Sequence, residues 1–144
     1  MTRPIIAAAL LTASLFAQPA FAQKAEQVDR SRLLILFAPN EESKELKLQY
    51  DAIQADTAEV NSEDVDVIYV IGDRNVKLPP PEAKTVTSEY LRKRYHVDAT
   101  AFRVVLIGRD GWEKARWSEP TDPHIIVGKA ADMPKPKSGS DEQR

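Results

Sequence analysis

The chain has 144 residues, 20 basic against 22 acidic side chains, a formal net charge of −2 at pH 7 and no cysteine. A charge this close to balance, with no basic face, gives nucleic acid or an anionic membrane surface nothing to hold electrostatically. Without a thiol there is no disulfide, no thiol redox centre and no lipid-modified cysteine.

Residues 1–22 read as a cleavable signal peptide. Arg3 supplies the positive start, and an apolar stretch from Ile5 to Ala17 is broken only by Thr12 and Ser14. Ala20-Phe21-Ala22 is a small-x-small cleavage site, so the predicted cut lies between Ala22 and Gln23. Gln18 and Pro19 interrupt the apolar stretch before it reaches the roughly 20 residues a membrane span needs. The expectation is export to a periplasm, with no stable membrane insertion after cleavage. Residues 23–32 form a polar lead-in.

Leu33-Leu34-Ile35-Leu36-Phe37 is continuously apolar, the pattern of a strand buried on both faces. Ala38-Pro39 ends it, because proline cannot donate to a ladder. Asn40 reads as a helix N-cap, with Glu41 and Glu42 in the first turn. That helix is predicted to run to Thr57, with Leu46, Tyr50 and Ile53 as its apolar stripe. Residues 61–64 read as a turn. Val65–Ile71 is rich in β-branched residues and reads as a second strand.

After residues 72–75, the segment 77–86 contains Pro79-Pro80-Pro81 and is predicted to be a stiff extended connection without a regular element. Ser88–Tyr95 is a short helix with Leu91 and Tyr95 one turn apart, capped by Thr87 or Ser88. Residues 102–107 form a third strand. Gly108-Arg109-Asp110-Gly111 carries hairpin chemistry, so residues 112–117 return as an edge strand. Trp112 and Trp117 are five positions apart and are expected on opposite faces, one packed and one exposed. Asp122-Pro123 is an N-cap followed by proline at the first helical position. Ile125, Ile126, Val127, Ala130 and Met133 line the final helix, and residues 135–144 read as a disordered tail.

Residues 33–134 therefore form one α/β domain in the order β-α-β-α-β-β-α. The first two strands need a helical crossover and are parallel, while the last two form an antiparallel hairpin. The result is a central mixed four-stranded sheet flanked by helices, which is the thioredoxin-like arrangement.

The first strand with Ala38-Pro39, Leu48-Gln49, Val70-Ile71-Gly72, Leu91-Arg92-Lys93-Arg94-Tyr95-His96-Val97, residues 102–111 and Asp132-Met133-Pro134 occur in an order and spacing that resemble the DUF4174 family. The resemblance covers residues 30–134. It implies a fold similar to the thioredoxin and peroxiredoxin superfamily, kinship with domains of secreted animal matrix proteins, and a biochemical function that is largely undefined. Redox members of that superfamily carry cysteines where the first strand gives way to the first helix. The matching stretch here is Pro39-Asn40-Glu41-Glu42-Ser43, and a helix N-terminus that would depress a thiol pKa has no thiol to act on. The superfamily's cis-proline precedes the third strand, where this chain has Ala101, Phe102 and Arg103.

The candidate ligand-binding residues are Asn40, Ser43 and Arg103, for a small anion or a partner's carboxylate at the N-terminus of the first helix. Against this stands the plain reading, in which Asn40 is only a cap and Glu41 and Glu42 repel anions. No catalytic residue is assigned. Ser43, Ser88 and Ser118 lack a nucleophile motif, and Glu41-Glu42 and Asp64-Asp66 are ordinary acidic pairs. His96 and His124 are too far apart in sequence for a local zinc site, so no metal and no cofactor is expected. The leading expectation is a non-catalytic periplasmic binding or accessory module whose partner is a periplasmic protein or a small ligand, without nucleic acid. The alternatives are a degenerate peroxiredoxin-like enzyme using a non-thiol site, and a structural or stress-related envelope protein that interacts through its hairpin edge.

Overall fold

The computed structural model describes residues 30–133. The predicted signal peptide with its Ala22–Gln23 cut, the lead-in as far as residue 29, and the tail from residue 135 lie outside the described residues.

The apolar run becomes strand β1 (Arg32–Ala38), whose side chains alternate between two buried layers. Leu34, Leu36 and Ala38 enter one cluster, while Ile35 and Phe37 enter the other. β1 lies at the centre of a four-stranded sheet. On one side it pairs in parallel with β2 (Val65–Ile71), with Leu36 opposite Tyr69. On the other it pairs antiparallel with β5 (Arg103–Ile107), with Leu36 opposite Val104. β6 (Glu113–Trp117) closes the order β2-β1-β5-β6 as an antiparallel edge. This is the expected mixed, thioredoxin-like sheet.

Helices α1 (Lys44–Ala55), α2 (Thr57–Ser62) and α4 (Pro123–Ala131) cover the first layer through Leu46, Ile53, Val60, Ile126 and Ala130. Helix α3 (Ser88–Tyr95) and a two-stranded ribbon, β3 (Asn75–Lys77) with β4 (Thr85–Thr87), cover the second. Leu91 and Val76 contribute the buried apolar contacts there. Thr87 caps α3, its hydroxyl accepting from the Tyr90 N–H at 3.1 Å. Asp122 caps α4 with Pro123 at its first position, as the sequence predicts.

Three expectations need correction. First, α1 begins after Ser43, not Asn40. Pro39 to Glu42 form a tight turn closed by the Ser43 N–H to the Asn40 carbonyl at 3.5 Å, and the Ser43 hydroxyl accepts from the Leu46 N–H. Two good capping residues stand close together, and the turn assigns the task to the second.

Second, the helix does not run unbroken to Thr57. Asp56 leaves helical geometry, and α2 restarts from Thr57, whose hydroxyl donates back to the Ile53 and Gln54 carbonyls. The buried stripe of α1 is Leu46, Gln49 and Ile53, not Tyr50, which is 46% exposed and packs its ring 5.8 Å from that of Tyr69.

Third, residues 77–86 are not a bare connection. The prolines occupy the tip between β3 and β4, so the flanking residues keep their donors and pair, with Val76 opposite Val86. The hairpin tryptophans divide as expected: Trp112 is 73% exposed at the turn, and Trp117 packs against the first layer.

Candidate functional site

β1 and β2 run out together, where Ala38 lies beside Ile71. The chain then turns at Gly72, which sits at φ +53° and donates its N–H to the Ala38 carbonyl at 3.2 Å. Glycine takes this left-handed conformation without the strain a side chain would add. The turn 39–42 and residues 71–74 enclose an open groove of about 530 Å³ at this end of the sheet. This turn is the stretch that the family resemblance aligns with the cysteine-bearing turn of redox members.

Its electrostatics are acidic. Glu41, Glu42 and Asp73 line it with Arg74, and Arg74 is already paired with Glu41 at 2.5 Å. Asn40 lines the groove, whereas Ser43 and Arg103 do not. The Ser43 hydroxyl is occupied from both sides, accepting from the Leu46 N–H at 3.4 Å and donating to Glu45 Oε2 at 3.0 Å. Glu45 is held below the usual carboxylate range by its own backbone N–H and by that hydroxyl. Arg103 opens β5 opposite Phe37, and its guanidinium donates to the neighbouring Phe102 carbonyl at 2.6 Å. Of the three residues singled out in the sequence, Asn40 and Ser43 share one turn, but only Asn40 lines the groove, and Arg103 stands at the start of β5. The cis peptide among the described residues is Pro80–Pro81, at the ribbon tip and not before β5.

The residue that sequence reasoning missed is Arg92. It is 7% exposed, and its Nη2 donates to the Ala38 carbonyl at 2.7 Å and toward that of Val70 at 3.5 Å. Nη1 donates to the Asp98 carbonyl at 3.1 Å, and the guanidinium lies 5.8 Å from the centre of the Phe37 ring. One cation therefore gathers the ends of β1 and β2 and the loop after α3 directly behind the groove. Burial lowers its pKa and Asp73 opposes the change, yet a guanidinium remains charged under ordinary conditions. Nothing in the sequence separates Arg92 from its neighbours Lys93 and Arg94 except the 3.6-residue period that turns it inward.

A second polar grouping joins α2 to α4. His124 Nδ1 lies 2.7 Å from Glu59, and Asp56 completes a set whose ligand atoms all fall within 4.8 Å of one another. Among the described residues this is the grouping whose donors could hold a metal ion. The sequence does not reveal this grouping, because His124 and Glu59 are brought together by packing across 65 positions.

The hydrogen bond and charge of Glu59 raise the His124 pKa, with Asp122 and Asp56 adding to the effect. A raised folded value means that the pair's stabilisation is fully present below the unfolded histidine value of about 6.5. It is lost as pH rises through the folded value. An NMR titration of the His124 ring should give a midpoint above the ordinary range, and Glu59→Gln should bring it back. An unshifted midpoint in the parent protein would count against the pair.

A family model described as "Domain of unknown function (DUF4174)" matches residues 25–135. Curated relatives include the Sushi repeat-containing protein SRPX2 of Bos taurus, 28% identical over 106 residues, and that of Homo sapiens, 27% identical over the same length. Each alignment takes in 68% of this chain but 22% of the relative, so the chain spans less than a quarter of the proteins it matches. A thioredoxin-fold protein from Helicobacter pylori is similar in structure, with a TM-score of 0.49 and 10% identity over 75% of this chain and 76% of that one.

Proposed function

The chain belongs to the DUF4174 family, a domain of unknown function, and from that premise we propose that it is a non-catalytic binding or accessory module exported to the periplasm. The carrying observation is the turn that precedes α1. It holds no cysteine, and the one hydroxyl at the helix start is committed to a cap and to Glu45. A serine nucleophile needs a base within hydrogen-bond reach to take its proton. The partners of Ser43 are a backbone N–H and the Glu45 carboxylate, whose lowered pKa makes it a weak base for taking the hydroxyl proton.

Export rests on the signal features of residues 1–22, and the binding role on a thioredoxin-like scaffold that keeps its shape while lacking its chemistry. The envelope-interaction reading is favoured by one further observation, the 73% exposed Trp112 beside β6, the edge strand of the sheet among the described residues.

Purified protein starting at Gln23 should be blank in both insulin reduction and peroxide consumption. Mass spectrometry of the periplasmic fraction should return Gln23 as the N-terminus. Catalytic turnover in either assay would overturn the module reading, and an unprocessed chain retained in the cytoplasm would overturn export. In-cell crosslinking then reads the partner, and the envelope reading expects Trp112→Ala to lose it without loss of stability.

A further inference from the structure

A second concavity lies at the opposite end of the sheet from the acidic groove. Leu33, Leu91 and Ile107 form its apolar floor, and the ribbon tip Pro79-Pro80-Pro81 forms a wall. Leu91 and Ile107 are buried, so the floor is part of the core and does not depend on mobile surface groups. The volume is about 150 Å³. A space of that order accommodates a single benzene-sized ring.

The mouth of this cleft is charged differently from the rest of the chain. Arg30 and Glu82 face each other across it at 2.5 Å and neutralise one another. Arg94 and Lys84 also line it, and neither has a carboxylate partner among the described residues. Arg94 is held in place: its guanidinium lies 5.7 Å from the centre of the Tyr95 ring, and Nη1 donates to the Tyr90 hydroxyl at 3.3 Å. A guanidinium has five N–H donors, so this arrangement leaves a planar fork available for a ligand. The cleft therefore offers an apolar slot of one ring's size beneath two uncompensated cations, in a protein whose net charge is −2.

We propose that this cleft binds a small aromatic monocarboxylate, its ring on the Leu33, Leu91 and Ile107 floor against the proline wall and its carboxylate on Arg94 and Lys84. This rests on the binding-module reading and names its site and ligand class. An inorganic anion would forgo the floor, and a neutral aromatic would leave the cations unanswered. The planar carboxylate suits the guanidinium fork.

The test is an amide-shift NMR titration of the chain from Gln23 onward with phenylacetate, run beside phenylacetamide and inorganic phosphate. Phenylacetate should give saturable shifts at residue 33, in residues 88–95 and at 107. Phenylacetamide should bind about tenfold more weakly, the loss expected for a charge-assisted hydrogen bond. Arg94→Gln, at an exposed position on α3, should weaken phenylacetate by a similar factor without changing the melting temperature. Should that variant not fold, Lys84→Gln on the ribbon is expected to weaken binding in the same direction.

Absence of shifts, equal binding of acid and amide, or shifts confined to residues 39–43 would each overturn the cleft assignment. Those outcomes leave the module reading standing, whereas turnover in the insulin or peroxide assay removes that reading whatever the titration shows.

Discussion

Arg92→Met should destabilise the fold by about 2–4 kcal/mol, because a buried charge-assisted hydrogen bond is worth roughly twice a neutral one and the guanidinium also packs on an aromatic ring. Methionine replaces most of the apolar stem but none of the donors. The Ala38 carbonyl, bound at 2.7 Å, loses its shortest side-chain contact, and the Asp98 carbonyl loses its tie to α3. The strand ends and the loop after α3 then have no shared partner.

Arg92→Lys should recover less than half of the loss. An ammonium keeps the charge but cannot span carbonyls on β1 and on the loop at once, and it is more costly to bury. Urea denaturation with an unchanged slope isolates the effect from changes in the unfolded chain. A Met variant within 0.5 kcal/mol of the parent, on the order of what an ordinary surface substitution costs, would show that the guanidinium does not hold the strand ends together.

Gln49→Leu is expected to cost about 2–3 kcal/mol. Gln49 is fully buried on α1, and its amide exchanges two hydrogen bonds with one backbone unit: Nε2 donates to the Thr121 carbonyl at 2.9 Å, and Oε1 accepts from the Thr121 N–H at 2.6 Å. Leucine has a similar volume and a better transfer energy, so packing alone would make the change favourable. The cost arises because a carbonyl and an N–H at Thr121 lose their partners in a part-buried place, and an unsatisfied buried group forfeits its hydration without compensation.

Thr121 immediately precedes the Asp122 cap of α4. The variant should therefore show faster hydrogen exchange in α4 before any change in β1 or β2. If α4 amides kept their protection and the midpoint did not fall, the amide bridge would be irrelevant to the docking of that helix.

These two residues show where legibility in the sequence ends. The centre of the sheet is readable because an apolar run of β1's length has few other uses, and Asp122-Pro123 and Thr87 carry their capping chemistry locally. Gln49 and Arg92 are unreadable for the same reason reversed: what makes each buried is a partner 72 or 54 positions away. Arg32 is a third case. Its place beside the apolar run gives it the look of a polar lead-in, yet β1 begins with it, buried, with Nη1 on the Glu63 carbonyl.

The start of α1 was ambiguous because Asn40 and Ser43 are both fit to cap, and only the turn geometry chooses between them. The proline run hid the β3–β4 ribbon because proline disfavours strand pairing at its own position and says nothing of the residues on either side. For the candidate site, the missing thiol is visible in the composition. The acidic character of the groove is also written in Glu41, Glu42 and Asp73, but their convergence on one concavity needs the fold.

The position of β1 in the sheet has a consequence for the order of events during synthesis. The strand made first among those described is the one that ends in the middle, with β2 on one flank and β5 on the other. Translation supplies β2 early, but β1 stays half-paired until residues 103–107 have emerged. Until then a strand that is apolar on both faces lacks a neighbour and the α4 cover, and exposed strand edges of this kind associate with one another. Nascent chains truncated before β5 should therefore aggregate, and completion of the last third of the domain is the step that makes the product safe.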